Sequence, residues 1–585
     1  MLAGLVQQPT NYNPIQYPDK ALKRRNQVLT RMQDLGVISA AQLAKSIRTP
    51  LGLKITTPKA SCLNATNPYI CDYVVKWLDD QPSLGPDVKS RERTIRSGVR
   101  IITTFDMDLV RSATKSIQDR VSPGQSNRGA AAAVVEPGTG KVLAIAQSSR
   151  YKDTQVNWAV DFKYGASAGF QIGSTAKIFA VATAMKQGWS PYRTITAPPD
   201  GTAYYAERLG GTECGMSGPY APRNAESNEA GTMTLQHATA MSVNTAFLAL
   251  AAELGVCNEK KVMADMGLHT SMNGQFGDPN KNGLFGDQGP AGVILGADNA
   301  SPVTLAAAAA TLPAGGKYCE PIPVLSVTGY DGTKFEIKPP TCRQALGGGE
   351  AYRATRILET VLTGGTARNV GGLPGRESAG KTGTSDSGKQ TWFVGYTPQR
   401  STAVWYGTPR KPAPTGAYGA TVAAPIWKSI MITAHEDLKS VDFKVIKSES
   451  DDPNQIEVPD VEGRGRYSAT STLEEAGFNV VVASNWVRAD IPAGRVAYTQ
   501  PGAGSTLAKG STVTLYLSRG YLVVNPSRSS TSSTPSQSSS SSQSPSTSTR
   551  PTNTQRPTTT QRPTTTQRPT NQRPNPRPTS TPAAN

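Results

Sequence analysis

Gly169-Phe-Gln-Ile-Gly-Ser-Thr-Ala-Lys-Ile-Phe-Ala-Val-Ala-Thr-Ala-Met185 is the stretch on which the reading of this chain turns. Gly173 marks the end of a loop, and the Ala-rich apolar run after it predicts a buried helix. Ser174 and Lys177 stand three residues apart, so one helical turn brings the Lys177 amine towards the Ser174 hydroxyl. The N-terminus of that helix also offers free N–H groups and positive dipole to an oxyanion. A serine hydroxyl is a weak nucleophile until a base takes its proton. Lysine ordinarily titrates near ~10.4, so Lys177 must be desolvated or crowded by a second cation to act as that base.

A lone Ser-x-x-Lys recurs by chance and reads as ordinary helix surface. Two further motifs change its weight. Ser242-Val-Asn244 opens the helix-like run Ser-Val-Asn-Thr-Ala-Phe-Leu-Ala-Leu-Ala-Ala, in which Ser242 could equally be a plain N-cap. Lys381-Thr-Gly-Thr384 precedes Thr391-Trp-Phe-Val-Gly-Tyr-Thr and Thr402-Ala-Val-Trp-Tyr-Gly, a strand–turn–strand pattern with Pro398-Gln-Arg in the turn. Its plain reading is a glycine-containing loop; its chemical reading makes Lys381 the second cation. With only His237, His269 and His435 in the chain, little else is available for general-base work. The three motifs in order supply a nucleophilic hydroxyl, an amine base, a hydroxyl–amide pair and a cationic carboxylate holder. That is the equipment of a serine acyltransferase working without histidine.

On these motifs residues 98–435 resemble the transpeptidase domain of a penicillin-binding protein. Gly98-Val-Arg-Ile-Ile-Thr-Thr-Phe-Asp-Met-Asp is similar to that domain's opening strand and helix. Ala130-Ala-Ala-Ala-Val-Val-Glu-Pro-Gly-Thr-Gly-Lys-Val-Leu-Ala-Ile-Ala resembles its first hairpin, with the turn at Pro137–Gly140. Tyr220-Ala-Pro-Arg-Asn224 and Leu295-Gly-Ala-Asp-Asn-Ala-Ser-Pro302 fit the same pattern. The resemblance implies an α/β (α+β) fold with an antiparallel sheet of about five strands between helical layers. It also implies that Ser174 attacks the carbonyl between the terminal D-alanines of a peptidoglycan stem peptide, with Lys177 as base. Ser242 would relay the proton, Asn244 would bind the donor's amide, and Lys381, Thr382, Gly383 and Thr384 would hold its carboxylate. Backbone N–H groups of Ser174 and Thr384 would form the oxyanion hole. β-Lactams, as mimics of the D-Ala-D-Ala end, would acylate Ser174. No cofactor is implied.

A chain of 585 residues exceeds one core and suits several modules. Pro18 near the start and Gly36 at the end bound one helix, and Ser39 with Gln42 opens a second as a capping box. Residues 1–47 resemble the C-terminal end of the glycosyltransferase domain of class A (bifunctional) penicillin-binding proteins, whose glutamates lie upstream. The resemblance implies a parent protein that is membrane-anchored, makes glycan and crosslinks it, whereas this chain only crosslinks. Met1 then marks a misplaced start or the edge of a fragment. No apolar run reaches the ~18 residues that span a bilayer, and no signal peptide is visible. Residues 48–97 are expected as a linker region and 436–455 as a second linker. Residues 456–520, with Val458-Pro-Asp-Val461, Gln500-Pro-Gly-Ala-Gly504 and Lys509-Gly-Ser-Thr-Val-Thr-Leu-Tyr-Leu-Ser518, resemble a PASTA domain. Its helix is expected over 469–476 and its strands near 479–483, 495–499 and 511–518. Such modules are associated with peptidoglycan or β-lactam contact; a structural spacer is the alternative.

Residues 521–585 are rich in Ser, Thr, Pro, Gln and Arg, with too few apolar groups to offset chain entropy, which predicts disorder. Seven arginines at 528, 550, 556, 562, 568, 573 and 577, without an acid, supply +7 of the net charge of +18. They suggest either a tether to anionic wall polymers or a merely solvated tail. The charge is diffuse and interleaved with proline, and no nucleic-acid fold signature accompanies it, so nucleic acid is not expected as a partner.

Six cysteines fall as Cys62/Cys71, Cys214/Cys257 and Cys319/Cys342, without zinc-site spacing, so no metal is expected. Disulfides, paired sequentially on proximity alone, would place the chain outside the reducing cytosol, at the outer membrane face or cell wall. Buried thiols are the alternative. Among competing functions, a β-lactamase would need a carboxylate loop such as Glu-x-x-x-Asn, and Glu253 with Asn258 has the wrong spacing. A D,D-carboxypeptidase remains open from motifs alone. A muropeptide or β-lactam sensor without turnover is disfavoured by the intact motif residues. The motifs leave the acceptor amine, the oligomeric state and partners in the cell-wall synthesis machinery open.

Overall fold

The computed structural model describes residues 2–53, 62–125, 127–225, 229–272, 289–385, 388–410, 413–444, 455–489 and 491–520; the arginine-rich tail lies outside the described residues. Its centre is an antiparallel sheet of β1 (Gly129–Val135), β2 (Val142–Gln147), β3 (Ala379–Thr384), β4 (Gln390–Tyr396) and β5 (Ser401–Gly407), in the order β3-β4-β5-β1-β2. β1 and β2 are buried at every position, which is why both read as unbroken apolar runs rather than as alternation. The hairpin turn falls at Pro137–Gly140 as expected.

The helices that position the site are α1 (Met107–Gln118), α2 (Lys177–Lys186), α3 (Leu235–Met241), α4 (Asn244–Leu254), α5 (Pro302–Ala309), α6 (Gly348–Thr363) and α7 (Ala423–Thr433). Alternation along β4 and β5 sends Trp392 and Trp405 to one face and Phe393 and Thr402 to the other. On the second face the Trp427 ring of α7 lies 4.8 Å from Phe393 and donates its N–H to Gly395 O at 2.9 Å. A Cβ on Gly395 would sit 2.7 Å from that ring, so glycine is what admits it. α1, capped by Asp106, packs beside α7 and shares a Ser116–Ser429 hydrogen bond of 2.9 Å. On the first face, Ser401 donates to Ala306 O of α5 at 2.7 Å, and Phe170 stacks on Trp405 at 3.5 Å. α2 is buried from Lys177 to Met185, the pattern of a helix inside a helical layer.

Of the stretch expected as a linker at 48–97, residues 62–97 are instead built into this body. Its helices Pro68–Leu78 and Val88–Arg96 flank Leu84, and Tyr73, Val74, Trp77 and Leu78 join the main core. The reason is the helical apolar stripe of Pro68-Tyr-Ile-Cys-Asp-Tyr-Val-Val-Lys-Trp-Leu78, started by Asn67 as N-cap and Pro68. The second expected linker is likewise anchored: Phe443 packs on Tyr396 and its N–H donates to Glu377 at 2.7 Å. Residues 445–454 lie outside the described residues. Near the N-terminus the helix Pro18–Asp34 and the Ser39/Gln42 capping box form as read.

The C-terminal module has its own core of Val458, Val461, Leu473, Phe478, Val496, Val513 and Leu515. α8 (Arg466–Glu475) covers β6 (Asn479–Val482), β7 (Val496–Gln500) and β8 (Thr512–Leu517), with β8 central, parallel to β6 and antiparallel to β7. The helix begins at Arg466 rather than 469 because Gly465, extended at φ −66°, ψ 146°, is its N-cap. The cysteines are bonded as Cys62–Cys71, Cys214–Cys257 and Cys319–Cys342, with Cα separations of 5.4, 5.7 and 4.1 Å.

A buried polar knot fixes the chain just ahead of Ser174. Asp161 accepts from the Ser301 and Thr304 hydroxyls at 2.7 and 2.9 Å and lies 2.9 Å from His269 Nε2. His269 Nδ1 is 2.9 Å from Gly267 O, so both ring nitrogens face acceptors and the imidazolium is the matched form. The carboxylate and hydrogen bond of Asp161 hold His269 above 6.5 against its burial, and His269 holds Asp161 below 3.8 against its own. The Asp161 contribution is present above 3.8 and is lost as pH falls through its depressed value. The His269 contribution is complete below 6.5 and is lost as pH rises through its raised value. Denaturant unfolding across pH should therefore show a plateau between these limits, and His269→Gln should flatten its alkaline edge.

Candidate active site

Ser174 lies in a single 3₁₀ turn, Gly173–Ala176, that runs directly into α2, so Lys177 is the first residue of the α-helix proper. This turn is clamped from two sides. Gly173 N–H donates to Gly296 O at 3.0 Å and Ile172 N–H to Asp298 O at 3.2 Å. On the other side Trp392 donates to Gln171 O at 2.8 Å. Glycines make the approach possible: a Cβ on Gly383 would stand 2.5 Å from Ile172 O, and one on Gly173 2.6 Å from Thr384 O. Gly173 also needs φ +55°, a left-handed value that favours glycine. The Ser174 turn and the β3 strand thus touch main chain to main chain.

The structure places Ser242 differently from its sequence reading. It does not begin a helix; it ends α3 as a C-cap at φ +64°, ψ 35°, and α4 starts at Asn244 after Val243. Ser242 and Ala166 are the non-glycine residues with positive φ among the described residues. A serine held in that region signals backbone strain tolerated at a site. The bend aims Ser242 and Asn244 at one atom. Lys177 Nζ donates to Ser242 O at 2.6 Å and to Asn244 Oδ1 at 2.6 Å, and lies 3.2 Å from Ser242 Oγ. Asn244 is held in turn by its Nδ2 donating to Arg223 O at 2.7 Å. Asn224 locks the same wall by exchanging two hydrogen bonds of 2.9 Å with Thr245.

Lys177 and Lys381 are both fully buried. Burial drives the Lys177 amine well below its ordinary range, the positive charge of Lys381 pushes further in that direction, and Glu229 opposes both. Burial alone brings Lys381 down to about 7. Burial thus disfavours the charged form of both amines, and at Lys177 the neighbouring Lys381 charge adds to it. The two carbonyl-type oxygens on Lys177 match the two N–H groups of a neutral amine, leaving its lone pair for proton transfer.

Lys381, Thr382, Gly383 and Thr384 lie consecutively on edge strand β3, paired with Val394, Phe393, Trp392 and Thr391 of β4. The Thr384 hydroxyl accepts from Gly419 N–H at 3.3 Å. Thr382 shares a hydrogen bond of 2.7 Å with Thr366, whose backbone N–H donates to Ala240 O at 2.9 Å. Thr366 thereby ties the β3 wall to the end of α3, two residues before Ser242. Sequence reading passed over it, as it passed over Glu229 and Gly419. The signal was the glycine-rich break Thr363-Gly-Gly-Thr366, where Gly365 lies against Ala240 O too closely for a side chain.

The family description "Penicillin binding protein transpeptidase domain" matches residues 130–432, more than half of the chain and all three motifs. The chain belongs to the penicillin-binding protein transpeptidase family. A second description, "PASTA domain", matches residues 456–519. Penicillin-binding protein 1A of Mycolicibacterium smegmatis is 28% identical over 451 residues, covering 74% of this chain and 53% of that protein. Penicillin-binding protein 1B of Escherichia coli is 28% identical over 436 residues, covering 73% and 47%. The chain thus spans about half the length of the curated relatives it matches. Among solved structures, the penicillin-binding protein PonA1 from Mycobacterium tuberculosis aligns with TM-score 0.50 at 25% identity, covering 64% of this chain and 94% of that one. Penicillin-binding protein 1A from Haemophilus influenzae aligns with TM-score 0.55 at 16% identity, covering 78% and 81%, a likeness of fold.

In this penicillin-binding protein the contact between the Ser174 turn and β3 leaves no room for a methyl group. Gly383→Ala should lower the unfolding free energy by about 1–3 kcal/mol through overpacking, and should slow acylation of the chain by a fluorescent penicillin. Unaltered labelling and stability together would show that the turn and strand are farther apart.

Proposed function

We propose that the chain is a serine D,D-transpeptidase that crosslinks peptidoglycan stem peptides through an acyl-enzyme on Ser174. The observation that carries this reading is the buried Lys177 amine, held by Ser242 and Asn244 three residues from a serine hydroxyl. Lys177 takes the Ser174 proton as Oγ bonds to the carbonyl carbon between the two terminal D-alanines. The C–N bond breaks, and the proton passes by Lys177 and Ser242 to the departing D-alanine amine. Asn244 binds the donor's amide; Lys381, Thr382 and Thr384, with Gly383 keeping the strand close, hold its terminal carboxylate. Backbone N–H groups of Ser174 and Thr384 stabilise the oxyanion, each donor worth about 3–4 kcal/mol in comparable acyl transfer. An acceptor amine from a second stem peptide then attacks the ester, loses its proton to the base, and frees Ser174.

The site is extracytoplasmic on this reading, at the outer membrane face or within the wall, as the three disulfides also favour. Among the described residues no helix is long and apolar enough to cross a membrane. On the same reading the basic tail is a tether to anionic wall polymers. A carboxypeptidase differs only in using water as acceptor, a β-lactamase in adding fast deacylation, and a sensor in lacking turnover.

Incubation with a fluorescent penicillin, followed by a denaturing gel, separates these readings. The chain should carry a label that persists for many minutes, and Ser174→Ala should carry none. Rapid loss of label would favour a β-lactamase or carboxypeptidase, and an unlabelled, folded chain would favour the sensor.

The acylation rate should trace a bell in pH. It rises as Lys177 loses its proton at low pH and falls as Lys381 becomes neutral, near about 7 in the free enzyme. Lys381→Arg keeps the charge at all accessible pH. It should move the falling limb upward even where the peak rate is reduced. An unmoved limb would remove Lys381 from the carboxylate-holding role.

A further inference from the structure

The PASTA module does not stand apart from the transpeptidase body. It is seated on one place, where the end of α2 meets the start of α6. The Gly502 N–H donates to Gly188 O at 3.1 Å, just past the last turn of α2. Ser190 donates its hydroxyl to Glu462 Oε1 at 2.6 Å; Ser190 is 1% exposed, so this carboxylate reaches into the body. Gly349 of α6 and Gly504 approach so closely that a Cβ on Gly349 would collide with Gly504 O. Tyr192 leaves the body to pack on the small cluster of Ala489, Ile491 and Ala497.

Arg353 of α6 is the charged centre of this junction. It is 9% exposed, and its Nη2 donates to Met185 O, one of the last carbonyls of α2, at 3.1 Å. Its Nε and Nη1 have no hydrogen-bond partner among the described residues. The carboxylates that act on it from the module are Glu462, Glu457 and Asp460, with Glu350 acting from its own helix. A buried guanidinium is stabilised by such partners and strongly penalised without them. Burial also pushes the Glu462 carboxyl up to about 7, with Ser190 and Arg353 working against that rise and Asp460 with it.

Both helices at the junction lead to the catalytic groups. α2 carries Lys177 at its opposite end, and α6 packs along β3, the strand of Lys381. We propose that the PASTA module is a docked brace of the transpeptidase site, held by the Glu462–Ser190 hydrogen bond and by the Gly188–Gly502 and Gly349–Gly504 backbone contacts, so that undocking the module lowers the rate at which Ser174 is acylated. The inference rests on the acyl-enzyme reading above. It makes the module a part of the enzyme's competence, so that a wall ligand able to pull the module off its seat would lower acylation at Ser174.

The test uses the full chain and leaves every transpeptidase residue unchanged. Glu462→Lys removes the acceptor for Ser190 and sets a cation beside Arg353, while the module's own apolar core is untouched. Glu462→Gln keeps an acceptor oxygen and serves as the conservative rescue. Hydrogen exchange over residues 186–193 and 496–505 reports docking, and the second-order rate of labelling by a fluorescent penicillin reports acylation. Glu462→Lys should speed exchange in both segments and cut labelling about 5-fold or more, the lower end of usual coupling between sites. Glu462→Gln should leave both near the parent values. Faster exchange with unchanged labelling would overturn the brace, as would fast exchange in the parent chain or retained protection in Glu462→Lys. A parent chain that takes no label would instead sink the acyl-enzyme reading itself, whatever the exchange showed.

Discussion

Desolvation of one amine organises the site. A lysine in water holds its proton far too tightly to serve a serine hydroxyl, and only removal from water together with a nearby cation changes that. The chain meets both conditions by starting at Lys177 a helix buried through Met185 and laying Lys381 on the facing strand. The surrounding geometry follows. α3 must stop and turn through a strained serine so that a carbonyl and an amide oxygen reach the amine. Strand β3 must press against the Ser174 turn without side chains between them, so glycine stands at 173 and 383, and Gly296 closes on the turn from its other side.

Such a site depends on its walls staying in register, because a buried amine left without its acceptors bears its full desolvation cost. The structure fixes the walls through contacts that are long-range in sequence. Thr366 joins β3 to the end of α3. Asn224 joins the segment after Tyr220 to α4. The Asp161–His269–Ser301–Thr304 knot holds the approach to Ser174. None of these groups is proposed to touch substrate; each limits where the groups that do can go.

How much of this was legible in the sequence depends on the range of the interaction. Motif residues announced themselves because their chemistry is unusual and their spacing local: Ser174 with Lys177 in a glycine-led apolar helix, and Lys381-Thr-Gly-Thr384 before two alternating strands. The five-stranded sheet was expected only from the family resemblance, whereas the strands near Thr391 and Thr402 and the Ser39/Gln42 capping box were legible locally. What was missed was decided by partners far away in the chain. Ser242 read as a helix start, since nothing in Ala240-Met-Ser-Val-Asn244 shows that the chain must bend to reach residue 177. The helix at Pro68–Leu78 carried an apolar stripe, but its burial depends on Phe105 and Tyr164, which sequence does not place beside it. Thr366 had no pattern beyond two glycines.

The same distinction bears on the PASTA module. Its internal fold was readable from Val-Pro-Asp-Val, the turn glycines and the closing strand, because these are local. Its seat was not, because Gly188, Ser190, Gly349 and Arg353 are unremarkable until Gly502, Gly504 and Glu462 are set against them. Two glycine backbones in contact and a carboxylate inserted beside a buried serine are poor features for a free-standing spacer. A spacer gains nothing from displacing water around Glu462 and Arg353, whose burial is unfavourable without compensating partners. The arrangement makes sense if the gain is positional, with one module's edge holding together the two helices that carry Lys177 and back Lys381.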